Sequence, residues 1–264
     1  MLEAVVGLVD IPTDYWTLPI SFSPPKGEDK QHAILERNGE MVAICATSSS
    51  GPRLVACRKD CTTPSGVELI ALLNAVGGTG SLVLPRELQP AAEMANRALG
   101  GRPLEVKMPL RLYRYEGGPI TTTDPRVRKA IEADQPILAS WFEAFGRDTG
   151  LAPPDDCNTR AAKAIERGRI RILEHEGRPV ACAQTASPIA NQVRIGLVYV
   201  PDEHRRHGFA AGLVTAVTAE ALELGASPCL FTDAENQGTD ALYRSIGYQP
   251  IDELLHLDPE KAPE

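Results

Sequence analysis

The spacing of apolar residues in the second half of the chain changes period several times, and each change marks an element. Ile137, Leu138, Trp141, Phe142 and Phe145 recur at helical spacing over residues 135–147, and this aromatic stripe reads as core rather than as a ligand box. Residues 127–133 carry helical spacing as well, after Asp124-Pro125, a cap-then-proline helix start. Residues 169–174 and 179–186 then read as strands joined by a hairpin at Glu176-Gly177-Arg178, and the β-branched run 193–200 reads as a third strand. From 208 to 224 the period returns to 3.6. Phe209, Leu213, Val214, Val217, Ala221 and Leu224 share one face, and Gly225 is placed to end the helix. A short strand over 228–232, a helix over 239–246 stopped by Gly247, and a last strand over 254–257 complete a mixed α/β pattern.

The first part shows strand patterns at 33–35, 41–47, 54–57, 81–84 and 110–115, with helices at 65–76 and 90–99. Gly, Pro and Thr cluster between Gly117 and Pro125, which divides the chain into residues 1–118 and 119–264. The first segment reads as a faded copy of the second. Leu82-Val83-Leu84, a helix and Leu99-Gly100-Gly101 parallel Leu230-Phe231-Thr232, a helix and Ile246-Gly247-Tyr248. In that alignment Gln89 falls opposite Asn236, and Asn96 opposite Tyr243.

Composition removes some classes of function. The formal charge of −8 comes without any block of Lys and Arg, so neither nucleic acid nor an anionic membrane surface is an expected partner. No apolar run is long enough to span a bilayer and the first residues lack a basic leader pattern, so the expected location is cytoplasmic. Six cysteines are too sparse for a disulfide scaffold and sit in apolar runs, as small core residues do. Cys57 and Cys61 have no second Cys or His pair nearby, so no metal site is expected.

The informative stretch is Val198-Tyr199-Val200-Pro201-Asp202-Glu203-His204-Arg205-Arg206-His207-Gly208-Phe209-Ala210, a strand that turns at proline into a basic loop opening a helix. Unpaired N–H groups at a helix start, together with its dipole, favour phosphate oxygens. Many such turns bind nothing. Here, however, Arg205-x-x-Gly208-x-Ala210 resembles the R/Q-x-x-G-x-G/A pyrophosphate loop of the GNAT acyltransferases. About thirty residues on, Leu230-Phe231-Thr232-Asp233 and Asn236-x-x-x-x-Ala241-Leu242-Tyr243-x-x-Ile246-Gly247-Tyr248 resemble that family's next strand and helix. The likeness covers about residues 125–258.

What the resemblance implies is the acyl-CoA N-acyltransferase fold, an α/β mixed sheet, in two tandem GNAT-like domains with the catalytic one second. The first would support the second, covering one side of the substrate cleft or forming a homodimer interface. Acetyl-CoA would be the co-substrate and a primary amine of a small molecule, amino acid derivative or peptide the acceptor. By the same resemblance, Val198 and Val200 would hydrogen-bond the pantetheine arm through their backbones. Arg205, Arg206, His207, Gly208, Phe209 and Ala210 would wrap the pyrophosphate, and Asn236 would contact the cofactor arm. Tyr243 would give the departing thiolate its proton. The family often places a glutamate base on the fourth or fifth strand, whereas 193–200 offers only Arg194 and Tyr199; Asp233, Glu235 and His204 lie nearby in sequence, with Asp233 the candidate base, and a water chain could serve instead. Two other readings stay open: a non-catalytic acetyl-CoA sensor or scaffold, and a site for another phosphate ligand, against which the lack of a nucleotide-binding glycine motif counts.

Overall fold

The structure, a computed structural model, describes residues 30–48, 53–57, 63–76, 80–118, 120, 124–150, 156–186 and 191–260. The chain's first residues, Cys61, and Pro119 with 121–123 of the expected boundary segment lie outside the described residues. The chain forms two compact units. One gathers the described residues up to Tyr113 with Phe231–Asp240 and Pro250 onward, and the other Arg114–Leu230 with Ala241–Gln249.

The first unit opens with the hairpin β1 (Lys30–Arg37) and β2 (Glu40–Ser48). Asn38 and Gly39 both adopt positive φ, 55° and 79°, which is the two-residue turn that matches the right-handed twist of paired strands. Strand β3 (Arg53–Cys57) lies antiparallel to β2, and β4 (Leu82–Pro85) parallel to β3. A parallel pair needs a crossover, and α1 (Gly66–Asn74) supplies it. Helix α2 (Gln89–Ala98) and β5 (Leu104–Tyr115) follow. The chain's last strand, β11 (Tyr248–Pro259), returns to lie antiparallel to β4, with Leu254 opposite Pro85 and Leu257 opposite Leu82. The strand order is β1-β2-β3-β4-β11-β5. Leu69, Leu72 and Leu73 of α1 pack with Leu82, Leu84, Leu255 and Leu257 in one buried apolar core.

The second unit opens with β6 (Val127–Lys129), followed by α3 (Gln135–Thr149), α4 (Cys157–Glu166), β7 (Ile170–His175), β8 (Arg178–Thr185) and β9 (Gln192–Tyr199). Helix α5 (Phe209–Glu223), β10 (Ser227–Asp233) and α6 (Gln237–Ile246) come next. The order is β10-β9-β8-β7-β6, antiparallel except for β9 and β10. Glu176 and Gly177 turn the β7–β8 hairpin at φ 52° and 73°. Alternation along β7 sends Ile170 and Ile172 into a core with Leu138, Trp141 and Phe142 of α3 and Ala161 of α4, while Leu173 faces α5 beside Gly212.

Two expectations are corrected. Residues 127–133 do not form a helix: Val127 pairs with Leu173 and Lys129 with Arg171, and Arg128 is clamped between Asp134 and Glu174 at 2.7 and 2.8 Å. Nor does Asp124-Pro125 start a helix, because the Asp124 carboxylate and carbonyl accept the N–H groups of Arg126 and Val127 in a turn. In both places pairing with β7 outweighs local spacing.

The succession of two hairpin strands, a third strand, a helix, a strand, a helix and a strand occurs twice, as β1 to β5 and as β7 to β11. Among the described residues, Cys45, Cys57, Cys157, Cys182 and Cys229 are buried and in no disulfide. No group of His, Cys, Asp and Glu suited to a metal ion occurs among the described residues, and no described helix is long and apolar enough to cross a membrane.

Candidate active site

Strand β9 carries the first unusual feature. Cys182 of β8 pairs with Tyr199 while Gln184 pairs with Gly196, so β9 spends one extra residue over that interval. Leu197 absorbs the extra length at φ 49°, a left-handed conformation a leucine seldom adopts. The parallel register with β10 runs from Gln192 to Ile195 against Ser227 to Leu230 and ends there, although β9 continues to Tyr199. Val198 therefore lies in a bulged stretch beyond that register, and Val200 directly follows the strand.

After Pro201, one turn of 3-10 helix over Asp202–His204 leads to an alternation of extended and left-handed residues. Arg205 sits at φ −70°, ψ 160°, Arg206 at φ 66° and Gly208 at φ 77°. Gly208 is the N-cap of α5 and supplies no side-chain cap; the first i to i−4 bond of the helix is from Gly212 N–H to the Gly208 carbonyl. The N–H groups of Phe209, Ala210 and Ala211 precede that bond, at the positive end of a fifteen-residue helix. A Cβ built on Gly208 would meet nothing within 4 Å, so the space beside this residue is open.

Arg205 has a different task from the one its charge suggests. It donates from Nε to the Val200 carbonyl at 3.0 Å, and its two NH groups reach Asp148 at 2.7 Å and Asp202 at 2.5 Å. These contacts fold the loop back onto the end of β9 and neutralise the guanidinium. Exposed Arg206 is the loop's other arginine. The His207 ring stacks on Phe209 at 5.6 Å and 18°, and Phe209 is buried. Thus Val200, Arg205, His207, Gly208 and Phe209 meet in one small structure.

Tyr243 lies in an aromatic group, edge-on to Tyr248 at 6.2 Å, and Tyr248 in turn is edge-on to Tyr115 at 5.5 Å. Tyr248 is held by a 2.6 Å hydrogen bond with buried Thr218 of α5, and burial pushes its phenol well above the ordinary range. Gly247, at φ 114°, lets the chain pass: a Cβ there would come within 2.4 Å of the Gly117 carbonyl oxygen. Thr218→Val should lower stability by about 1–3 kcal/mol, because it strips a buried phenol of this hydrogen bond. A denaturant midpoint that falls at constant m value checks it.

Asp233 and Asn236 work locally. The Asp233 carboxylate accepts the Glu235 N–H at 2.9 Å, its carbonyl accepts the Asn236 N–H at 3.2 Å, and Asn236 Oδ1 accepts the Thr239 N–H at 3.2 Å to cap α6. Sequence reasoning missed Leu197, Asp148 and the whole of α4. The signal for α4 was Asp156, whose carboxylate caps the helix through the Thr159 N–H at 2.9 Å; its buried face is made of Cys157, Ala161 and Ala164, too small to stand out as a stripe.

With this geometry in view, comparison with known proteins gives three findings. Residues 183–257 match the family model described as FR47-like protein. No curated protein sequence matches the chain. Among solved structures, an acetyltransferase of the GNAT family from Colwellia psychrerythraea is 16% identical, with 87% of this chain and 85% of that one covered at a TM-score of 0.55. A GCN5-related N-acetyltransferase from Sphaerobacter thermophilus is 15% identical over 89% and 82%, at 0.55. A Drosophila protein is 14% identical over 87% and 80%, at 0.61. At these identities the likeness is one of fold.

Proposed function

We propose that this chain, with its FR47-like segment and a fold like that of the GNAT proteins, transfers an acetyl group from acetyl-CoA to a primary amine. The observation that carries the reading is the uncapped start of α5 behind Gly208, an open cradle of N–H groups at the end of a bulged strand. A pyrophosphate suits it, being anionic and rich in acceptors. The N–H groups of Phe209 and Ala210 would hold the phosphates, exposed Arg206 would add charge, and Arg205 would fix the loop. The backbone of Val198 and Val200 would hold the pantetheine arm.

Acetyl-CoA supplies the activated acyl group, a thioester. The amine lone pair attacks its carbonyl carbon, the C–S bond breaks, Tyr243 gives its phenolic proton to the departing sulfur, and the amine sheds a proton to water. A phenol can donate its proton to the leaving sulfur and suits the role.

The first unit supports the same assignment by contrast. In the repeated succession α1 stands where α5 stands, and its start is closed: Ser65 and Glu68 form a capping box, and Arg37 grips Glu68 at 2.6 Å, which holds that carboxylate down to about 2. A helix start already filled by its own carboxylate offers nothing to a phosphate. Asn96, opposite Tyr243, spends its amide on the Arg102 carbonyl. We therefore read the first unit as a degenerate copy that binds no acetyl-CoA.

The full chain with acetyl-CoA and a panel of primary amines should release free thiol in proportion to an acetylated amine. Tight acetyl-CoA binding without thiol release from any amine would replace this reading with a sensor or scaffold.

A further inference from the structure

A pocket of about 340 Å³ lies along α4, apart from the phosphate cradle, and its wall is strongly cationic. Arg160, Lys163, Arg167 and Arg169 line it against a single carboxylate, Asp156, whose oxygens are already occupied by the Thr159 N–H and hydroxyl at 2.9 and 2.5 Å. In a chain of net charge −8 this concentration of positive charge runs against the overall balance. The Arg160 guanidinium is anchored over the Phe142 ring at 5.5 Å, which fixes its place in the wall.

The pocket's floor leads to the bulge. Gln184 lines the pocket and shares a face of β8 with Cys182, which packs into the α3–α4 core; its partner on β9 is Gly196, the neighbour of Leu197. Paired residues share a face, so Gly196 opens on the same side. There a Cβ would meet only Arg194 Nε, at 3.9 Å. Burial lowers Arg194 from the ordinary guanidinium range and Cys229 opposes that shift, while the like charge of Arg160 lowers it further, which places the two arginines within electrostatic reach.

From this arrangement we infer that the acceptor carries an anionic group, a carboxylate or a phosphate, held by Arg160, Lys163 and Arg167 on a short tether from its amine. The inference rests on the acetyl-transfer reading for the identity of the ligand as acceptor. The cationic wall holds the acid end while the amine points past Gln184 toward Gly196 and the bulge.

The test is calorimetry on the full chain saturated with coenzyme A, using matched product probes: N-acetylglycine against N-acetylglycinamide, and N-acetyl-phosphoethanolamine against N-acetylethanolamine. At least one charged member should bind about tenfold or more tighter than its neutral partner, as a charge-assisted hydrogen bond warrants. The pair that shows the gap tells carboxylate from phosphate. The gap should collapse in Arg160→Gln and persist in Arg160→Lys. Because Arg160 also covers Phe142, the double variant Lys163→Gln, Arg167→Gln, at exposed positions, should narrow the gap without disturbing the fold. Equal affinities, no binding of any probe, or a gap that survives both substitutions would overturn the inference. Coenzyme A titrated into the same preparation separates the two readings: its failure to bind sinks acetyl transfer, and its binding without charge discrimination sinks only the anionic acceptor.

Discussion

Gly208→Val should weaken acetyl-CoA binding about a hundredfold, the equivalent of one or two charge-assisted hydrogen bonds to backbone N–H groups. In the protein alone a Cβ at this position meets nothing within 4 Å, and the cost to folding expected from a β-branched residue at φ 77° is about 1–2 kcal/mol. With acetyl-CoA present, the same side chain stands where a phosphate must approach Phe209 and Ala210. Gly225→Val is the matched control. Gly225 follows the other end of α5 at φ 72°, also with nothing within 4 Å, so it should reproduce the strain and leave affinity unchanged. Comparing calorimetric affinity with denaturant midpoints of both variants measures this. Equal loss of affinity in the two would make Gly208 a structural turn.

Tyr243→Phe should cut turnover by about a hundredfold or more and leave acetyl-CoA affinity within about threefold, the pattern of a lost general acid. The ring is 6% exposed and packed edge-on to Tyr248, and phenylalanine keeps that contact. Steady-state thiol release beside a binding titration separates the outcomes. Turnover within a few-fold of the parent would leave Tyr243 a core aromatic, and thiol departure would then need no acid from this residue.

Much of the fold was legible because its punctuation is local. Glu176-Gly177 turns a hairpin, Gly225 closes α5 and Gly247 closes α6, and each announces itself by residue type. What depended on distant partners was not. Residues 127–129 became a strand because β7 offered a ladder forty-odd residues away, and nothing in Val-Arg-Lys reveals that. The last strand, read from Leu254, begins at Tyr248, and its pairing with β4 joins segments that sequence spacing cannot relate.

The same division holds at the site. The Arg205 to Ala210 pattern exposed the loop, since glycine before an uncapped helix is a local signature. Arg205's charge was visible, but its neutralisation by Asp148 was not, because that carboxylate lies at the end of α3. Leu197 carries no sequence signal for a left-handed residue; only the mismatch between Cys182–Gln184 and Gly196–Tyr199 reveals the bulge. Asp233 and Asn236 looked chemical in sequence, and the structure gives them turn and cap duties that their residue types serve equally well.

The central claim, that α5 receives a pyrophosphate, is tested most directly by titrating the full chain with acetyl-CoA and, separately, with S-acetylpantetheine, which has the same thioester arm and no phosphates. Acetyl-CoA should bind at least about a hundredfold tighter, with the difference shrinking as salt is raised, because it derives from charge held at a helix start. Equal affinity for the two, or no binding of acetyl-CoA, would contradict the account.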